Sequence, residues 1–415
     1  MLLIAASPAP DPNALRASVD KLVSFGTRHT LSSATDPTRG IGAARTWAAG
    51  EFTKLGLTVE RPNKRFDGPR APNGVVVENV LAIQRGTGDP SHVVIIAGHI
   101  DSRVTDPMDA TSDAPGANDD ASGVALVLEA ARLLSKEKFS ATIIYAALSG
   151  EEQGLWGGKL LAEIAEERGW RVAAMLNNDI VGNTIGQDGR KVADRVRVFS
   201  EGIGAADDPA TLKWRRASGG EDDSPSRALA KAVAQTAVAK KLITAFPVRR
   251  PDRFGRGGDH TPMLEAGFPA VRFTVGVENY DAQHQDLRTE NGKVYGDTTE
   301  RMDFPYLARV TALNVAMLRQ LAAAPEAPAS AVAGGAVSTD MTVKWTAAPG
   351  ASGYRIRWRR ADQAIWTNSR DVAGTATDAT LAGVIVDDTF AGVSALSKDG
   401  AESLVTFAGL PRPKL

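Results

Sequence analysis

The 415-residue sequence has no cysteine. That absence excludes disulfides, thiolate zinc fingers, iron–sulfur clusters and a cysteine nucleophile together, so any metal site must use His, Asp and Glu. Only five histidines are available for one. An excess of either charge is also missing: 48 Lys and Arg stand against 49 Asp and Glu, a net charge of -1. This balance argues against a nucleic-acid binder, which needs a basic excess or stripe to track phosphates. No apolar run approaches the ~18 residues that span a bilayer, so no transmembrane segment is expected. With 43% hydrophobic and 23% charged residues the chain reads as globular, and its length at about 150 residues per domain allows two or three domains.

The N-terminus reads two ways. Leu2 to Ala6 is apolar and precedes Ser7, Pro8, Ala9 and Pro10, as in the remnant of a signal peptide or the start of a disordered tail. We take residues 1–12 as an N-terminal tail. From there to residue 322 helical and strand-like patterns alternate. Helices are predicted over Asp36–Leu57, Ala121–Leu134, Leu155–Arg168 and Pro305–Leu321, and strands over Asn79–Gln84, His92–Ala97, Ala141–Leu148 and Val172–Ile180. Buried apolar strands between helices predict an α/β fold, with a mixed, mostly parallel twisted sheet flanked by helices. Asn183–Gly258 is more polar and less regular, although Ser224 and Pro225 read as the N-cap and first residue of a helix reaching about Leu242. Residues 323–335, nearly all Ala, Pro, Gly, Ser and Val, read as a linker. After it the period becomes two, as in Tyr354-Arg355-Ile356-Arg357-Trp358, which predicts a small β-sandwich over 336–415. That region resembles a fibronectin type III domain, with Trp345, Tyr354 and Leu381 at core positions.

Chemistry-bearing residues recur at the ends of the predicted strands. Gly98-His99-Ile100-Asp101 closes one, where Asp101 is placed to orient His99. A Gly-rich loop carries Asn118-Asp119-Asp120 into a helix, Glu151-Glu152 follows a second strand, and Asp179 ends a third. His284 lies far downstream, between Gln283 and Gln285. Each alone has an ordinary explanation: helix capping for the aspartates, a surface loop for the glutamates. Together they form a His and carboxylate set suited to two divalent ions, and adjacent glutamates are electrostatically awkward unless a cation lies between them or one is protonated.

This order and spacing resembles the secreted di-zinc aminopeptidases of metallopeptidase family twenty-eight, over roughly residues 13 to 322. The resemblance implies two zinc ions per chain, with Mn2+ or Co2+ as possible substitutes. His99 and Asp179 would bind one, Glu152 and His284 the other, and Asp119 would bridge them. It further implies Glu151 as general base for a metal-bridged hydroxide, and a cis Asp119–Asp120 peptide bond. Asp101, Asp120, Asp259 and His260 would support the ligands from outside, the last two within Gly258-Asp259-His260-Thr261-Pro262. Many relatives use a Tyr to stabilise the oxyanion. Here Gln283 stands before the last His, and Tyr280 is the nearest candidate. His29 and His92 fit no element and read as structural or surface residues.

The implied activity is an exopeptidase, foremost an aminopeptidase, acting on peptide substrates. Carboxypeptidase, dipeptidase or glutaminyl-cyclase-like action, and a catalytically dead binding protein, are the alternatives. Glu221, Asp222 and Asp223 are candidates for binding a substrate amine, against a simpler role complementing a helix dipole. The C-terminal region is a candidate anchor to a surface, polymer or protein partner. The resemblance and the N-terminal apolar stretch lead us to expect a periplasmic or secreted bacterial protein.

Overall fold

The structure, a computed structural model, describes residues 9–411, so the apolar stretch Leu2–Ala6 lies outside the described residues. Helix α1 (Pro12–Val23) opens the fold, its N-terminus capped by Asp11. In the segment predicted as helix from Asp36, the helix α2 begins only at Ile41 and runs to Lys54. The Asp36 carboxylate instead accepts from the backbone N–H groups of Thr38 and Arg39, closing a turn that cannot continue as helix. Strands β1 (Thr58–Glu60), β2 (Asn63–Gly68) and β3 (Ala71–Glu78) follow, the last two forming a hairpin. Next come β4 (Val80–Gln84), β5 (His92–His99), α3 (Ala121–Leu134), β6 (Thr142–Leu148), the short α4 (Glu151–Gly154), α5 (Trp156–Glu167) and β7 (Arg171–Asn178).

The polar stretch 183–258 is more regular than its composition suggests. It holds β8 (Arg195–Phe199), α6 (Pro209–Ser218), α7 (Pro225–Ala239) and β9 (Thr244–Val248). Ser224 caps α7 by accepting from the Arg227 N–H, with Pro225 as its first residue. Strand β8 was missed because Arg195-Val196-Arg197-Val198 reads as charged, yet its alternation buries Val196 and Val198. Helix α8 (His260–Glu265), β10 (Ala270–Val275), the small hairpin β11 (Arg288–Glu290) and β12 (Lys293–Tyr295), and α9 (Phe304–Ala323) complete this part.

Eight strands make one sheet in the order β1-β4-β6-β5-β7-β10-β8-β9. Its centre, β6-β5-β7-β10, is parallel throughout. Period-two alternation feeds both faces. Val94 and Ile96 of β5 pack into the core beneath α1, α2, α3, α7 and α9, while Val93, Ile95 and Ala97 pack beneath α5 and α8. The start of α3 sits tight against the strand ends. A Cβ on Gly123 would lie 2.1 Å from the Asn178 carbonyl oxygen, and one on Gly98 would lie 2.6 Å from the Gly123 carbonyl carbon.

The C-terminal residues form seven strands: β13 (Ala331–Gly334), β14 (Met341–Trp345), β15 (Gly353–Arg360), β16 (Asn368–Ala373), β17 (Asp378–Leu381), β18 (Thr389–Leu396) and β19 (Thr406–Gly409). They join in one curled sheet, ordered β16-β15-β18-β19-β13-β14-β17. Trp345, Tyr354 and Leu381 are buried in its core. The expected linker 323–335 is therefore shorter than its composition implies, because α9 runs to Ala323 and β13 starts at Ala331. Strand β13 is held by backbone ladders to β14 and β19, which small side chains do not hinder. Asp222 and Asp223 do not face a substrate. Both bind the fully buried Arg359 of β15, and Lys231 pairs with Asp223, fastening the C-terminal sheet to α7.

Candidate metal centre

Because β5, β6, β7 and β10 are adjacent and parallel, their C-terminal ends open on one crevice, the usual ligand position in α/β sheets. His99 ends β5, Glu151 and Glu152 start α4 three residues after β6, and Asp179 follows β7 directly. Asp119 lies just before α3, through a cis Asp119–Asp120 peptide bond, and His284 arrives on the loop after β10.

All five expected ligands and Glu151 meet there. The ligand atoms of His99, Asp119 and Asp179 lie within 4.8 Å of one another, and so do those of Asp119, Glu152 and His284. Asp119 is thus common to both triads. Its Oδ1 is 3.1 Å from His99 Nε2, and its Oδ2 is 2.9 Å from His284 Nε2. Asp179 Oδ1 is 3.8 Å from His99 Nε2, and Glu152 Oε1 is 2.8 Å from His284 Nε2. Glu151 forms a further triad with His99 and Glu152.

The supporting residues act through backbone groups. Asp101 accepts from the N–H groups of Glu151 and Glu152 and from Thr30 Oγ1, while its carbonyl lies 3.1 Å from His99 Nδ1. This fixes His99 and the double glutamate relative to each other. Asp120 accepts from the N–H groups of His99, Gly123 and Ile180, tying together the ends of β5 and β7 and the start of α3. Asp259 accepts from the Gly158 N–H. His260 turns away from the ligands, with Nε2 2.8 Å from the Pro251 carbonyl and 3.7 Å from Asp252. Its link to the centre is indirect, since Asp252 pairs with Arg272 and Arg272 with Asp179 at 2.7 Å. His29 is buried against Gln153, and His92 is buried at the other end of β5.

The centre calls for positive charge. Burial opposes ionisation of both imidazoles, yet the surrounding carboxylates raise His99 well above its ordinary value and lift His284 to about 9. Burial also pushes the Glu151 carboxyl well up, opposed by His99 and reinforced by Glu152 and Asp179. Two buried candidate ligand atoms, His99 Nε2 and Glu152 Oε1, have no hydrogen-bond partner among the described residues. Nitrogen and carboxylate donors in two triads with one shared carboxylate fit a pair of divalent ions, which would supply the missing charge and free the imidazoles to ligate.

Tyr280 does not join the site. Its side chain is 52% exposed and does not line the cavity of about 370 Å³ over the ligands. Gln283 does, donating to Asp119 Oδ2 at 3.1 Å. Other contributors escaped the sequence reading. Arg103 pairs with Glu152 at 2.8 Å and approaches His284 Nδ1 at 2.6 Å. Arg272 carried a legible signal, a cation inside the apolar strand Ala270-Val271-Arg272-Phe273.

Asp297 supports the centre from the segment that leads into α9. Its Oδ2 accepts from the N–H groups of Asn118 and Asp119, at 2.9 and 2.7 Å, and so holds the loop that presents the shared ligand. Asp297→Ala is expected to lower metal affinity about 10–100-fold, the usual scale for an outer partner of a ligand. Competition with a chelator measures this. Unchanged affinity in a folded variant would remove Asp297 from the support of Asp119.

Residues 79–318 match the profile of peptidase family M28. A protein of Leptosphaeria maculans named "Probable zinc metalloprotease" is 44% identical over 371 residues, covering 86% of each chain. Among solved structures, a glutaminyl cyclase of Fimbriiglobus ruber aligns with a TM-score of 0.53 at 19% identity, over 76% of this chain and 96% of its own. An aminopeptidase from Aneurinibacillus sp. strain AM-1 aligns at 0.51 and 15% identity, over 75% and 94%. At these identities the two structures speak for the fold. The profile match spans more than half of the sequence and the fungal relative most of it, and on that ground this chain belongs to peptidase family M28.

Proposed function

We propose that the protein is a zinc metallopeptidase with two ions per chain, acting as an exopeptidase that releases N-terminal residues from peptides. The observation that carries this reading is the Asp119 carboxylate shared between two complete ligand triads. Membership of the family and the name of the fungal relative support zinc and proteolysis. The cavity, at the small end of the range for ligand pockets, suits the end of a peptide better than its middle.

Zinc bound by these residues supplies Lewis acidity toward the scissile carbonyl and acidifies a water. His99, Asp179 and Asp119 would hold one ion, and Glu152, His284 and Asp119 the other. Glu151, whose carboxylate makes no hydrogen bond or ion pair among the described residues, would take the proton of the attacking water and deliver it to the leaving amine. Asp101 sets the distance of Glu151 from the ligands by binding the N–H groups that open α4. A second reading, cleavage at a C-terminal residue or of a dipeptide, is favoured by the arginines Arg70, Arg103, Arg253 and Arg256 that line the cavity.

Elemental analysis together with a peptide panel tests the proposal. Two zinc ions per chain and stepwise release of N-terminal residues are expected. One ion per chain would point to a mononuclear centre of another chemistry, and no retained metal after zinc is added back would remove the mechanism altogether.

A further inference from the structure

Once two divalent ions are bound, the cavity over the ligands holds more positive charge than its lining acids neutralise. Four arginines line the cavity with four carboxylates, Asp119, Glu151, Glu152 and Asp179. The two sets already balance, so two divalent ions would leave four excess positive charges there, or three beside a hydroxide. The arginines differ in how far they are satisfied. Arg253 is buried, bound to Asp252, Glu278 and the Gly257 carbonyl. Arg103 is held by Glu152 and the Val104 carbonyl.

Arg70 and Arg256 are not saturated. Arg70, at the tip of the β2–β3 hairpin, donates Nη1 to the Glu152 carbonyl and has no carboxylate within 4 Å among the described residues. Arg256 donates Nη1 to Glu278 at 3.0 Å and to Gln283 at 3.4 Å, and its Nε and Nη2 have no partner among the described residues. Glu278 is itself shared, since Arg197 and Arg253 also bind it. One carboxylate therefore serves three guanidinium groups. Guanidinium N–H groups with no protein partner favour a carboxylate, which the planar fork can grip with two bonds.

We propose that the cavity recognises a substrate carboxylate beside the scissile amide, and that Arg70 and Arg256 bind it. The inference rests on the exopeptidase reading and names its substrate class. The carboxylate has two possible sources: the α-carboxylate of a dipeptide or C-terminal residue, or the side chain of a terminal Asp or Glu. A free substrate ammonium alone would meet like charge in this cavity.

Steady-state kinetics of the zinc-loaded full chain tests it with two matched pairs. Ala-Ala is compared with Ala-Ala amide, and Glu-Ala amide with Gln-Ala amide. We expect a preference of at least about tenfold in kcat/KM, mainly in KM, within one pair, the scale of a charge-assisted hydrogen bond. The first pair responding identifies an α-carboxylate, and the second a side chain. In the double variant R70Q/R256Q that ratio should fall toward one with two zinc ions retained, and R70K/R256K should restore part of it.

Calorimetric titration of glutarate into zinc-loaded wild type and R70Q/R256Q gives a readout independent of turnover. Any contact of glutarate with the ions is common to both proteins, so the difference reports on the arginines. At least about tenfold weaker binding by the variant is expected. Ratios near one in both pairs, with equal glutarate affinities, would overturn the carboxylate site and leave the peptidase intact. Failure to cleave any peptide with two ions bound would overturn the exopeptidase reading instead, and the glutarate difference would then decide the arginine site alone.

Discussion

Glu151→Gln is expected to lower kcat by about 10²–10⁴-fold, the contribution of a positioned general base, while the chain keeps its metal. Glu151 sits on the first turn of α4 and lines the cavity between the two triads. Its backbone N–H is fixed by Asp101 at 3.3 Å, whereas its carboxylate makes no hydrogen bond or ion pair among the described residues. Gln keeps the volume and the helix turn, so the ligand atoms of Glu152, His99 and Asp119 should stay where they are. What it removes is the site that accepts a proton. Turnover and zinc content measured on the same sample decide the matter. A variant retaining more than about a tenth of the activity would not have lost its base, and one that lost metal as well would show that Glu151 is a ligand.

Asp119→Asn is expected to do the reverse, emptying the centre before chemistry is reached. The Asp119 carboxylate is the one group common to both triads, with one oxygen 3.1 Å from His99 and the other 2.9 Å from His284. Asn offers a single neutral oxygen, so each triad is weakened and the buried set loses one anion of the charge that must offset two divalent ions. Affinity should fall by more than the about 10–100-fold expected for an outer partner such as Asp297. Zinc retained after dialysis against a weak chelator, with peptide release assayed in parallel, measures it. Two ions retained at wild-type affinity would show that Asp119 does not bridge. The contrast with Glu151→Gln separates ligation from proton transfer.

The ligand set was legible because its members sit at places that sequence patterns locate well. His99, Glu152 and Asp179 each end or follow an apolar strand, and a buried strand is hard to mistake. Helix α3 is predicted over the span it occupies, since Asp120 caps it and apolar residues fill most of it. Where side chains carried little information the reading weakened. Strand β13 is Ala, Val, Ala and Gly, and its order comes from backbone pairing that composition does not register. Two of the five residues of strand β8 are arginine, and only the sheet shows that its valines face inward.

Tyr280 and the arginines mark the sharper limit. Proximity in sequence to His284 made Tyr280 the candidate for the oxyanion, yet the loop after β10 turns so that Gln283 reaches Asp119 and Tyr280 faces solvent. Arg70, Arg103 and the turn holding Arg253 and Arg256 lie on three separate segments, and nothing near them in the chain announces a cavity. The acids Asp222 and Asp223 read as an amine site or as partners of a helix dipole until the fold brings Arg359 to them from 136 residues away.

By itself, then, the sequence determined the alternation of strands and helices, the absence of thiolate chemistry, and a His and carboxylate set at successive strand ends. These follow from local periodicity and residue type, which act over a few residues. Only the tertiary structure decided that Asp119 belongs to two triads at once, that Asp297 clamps its loop, and that four arginines share a cavity with the ligands. Each of those is a sum over atoms far apart in the chain, and distance and charge in a shared cavity exist only once the parallel strand ends have been packed side by side.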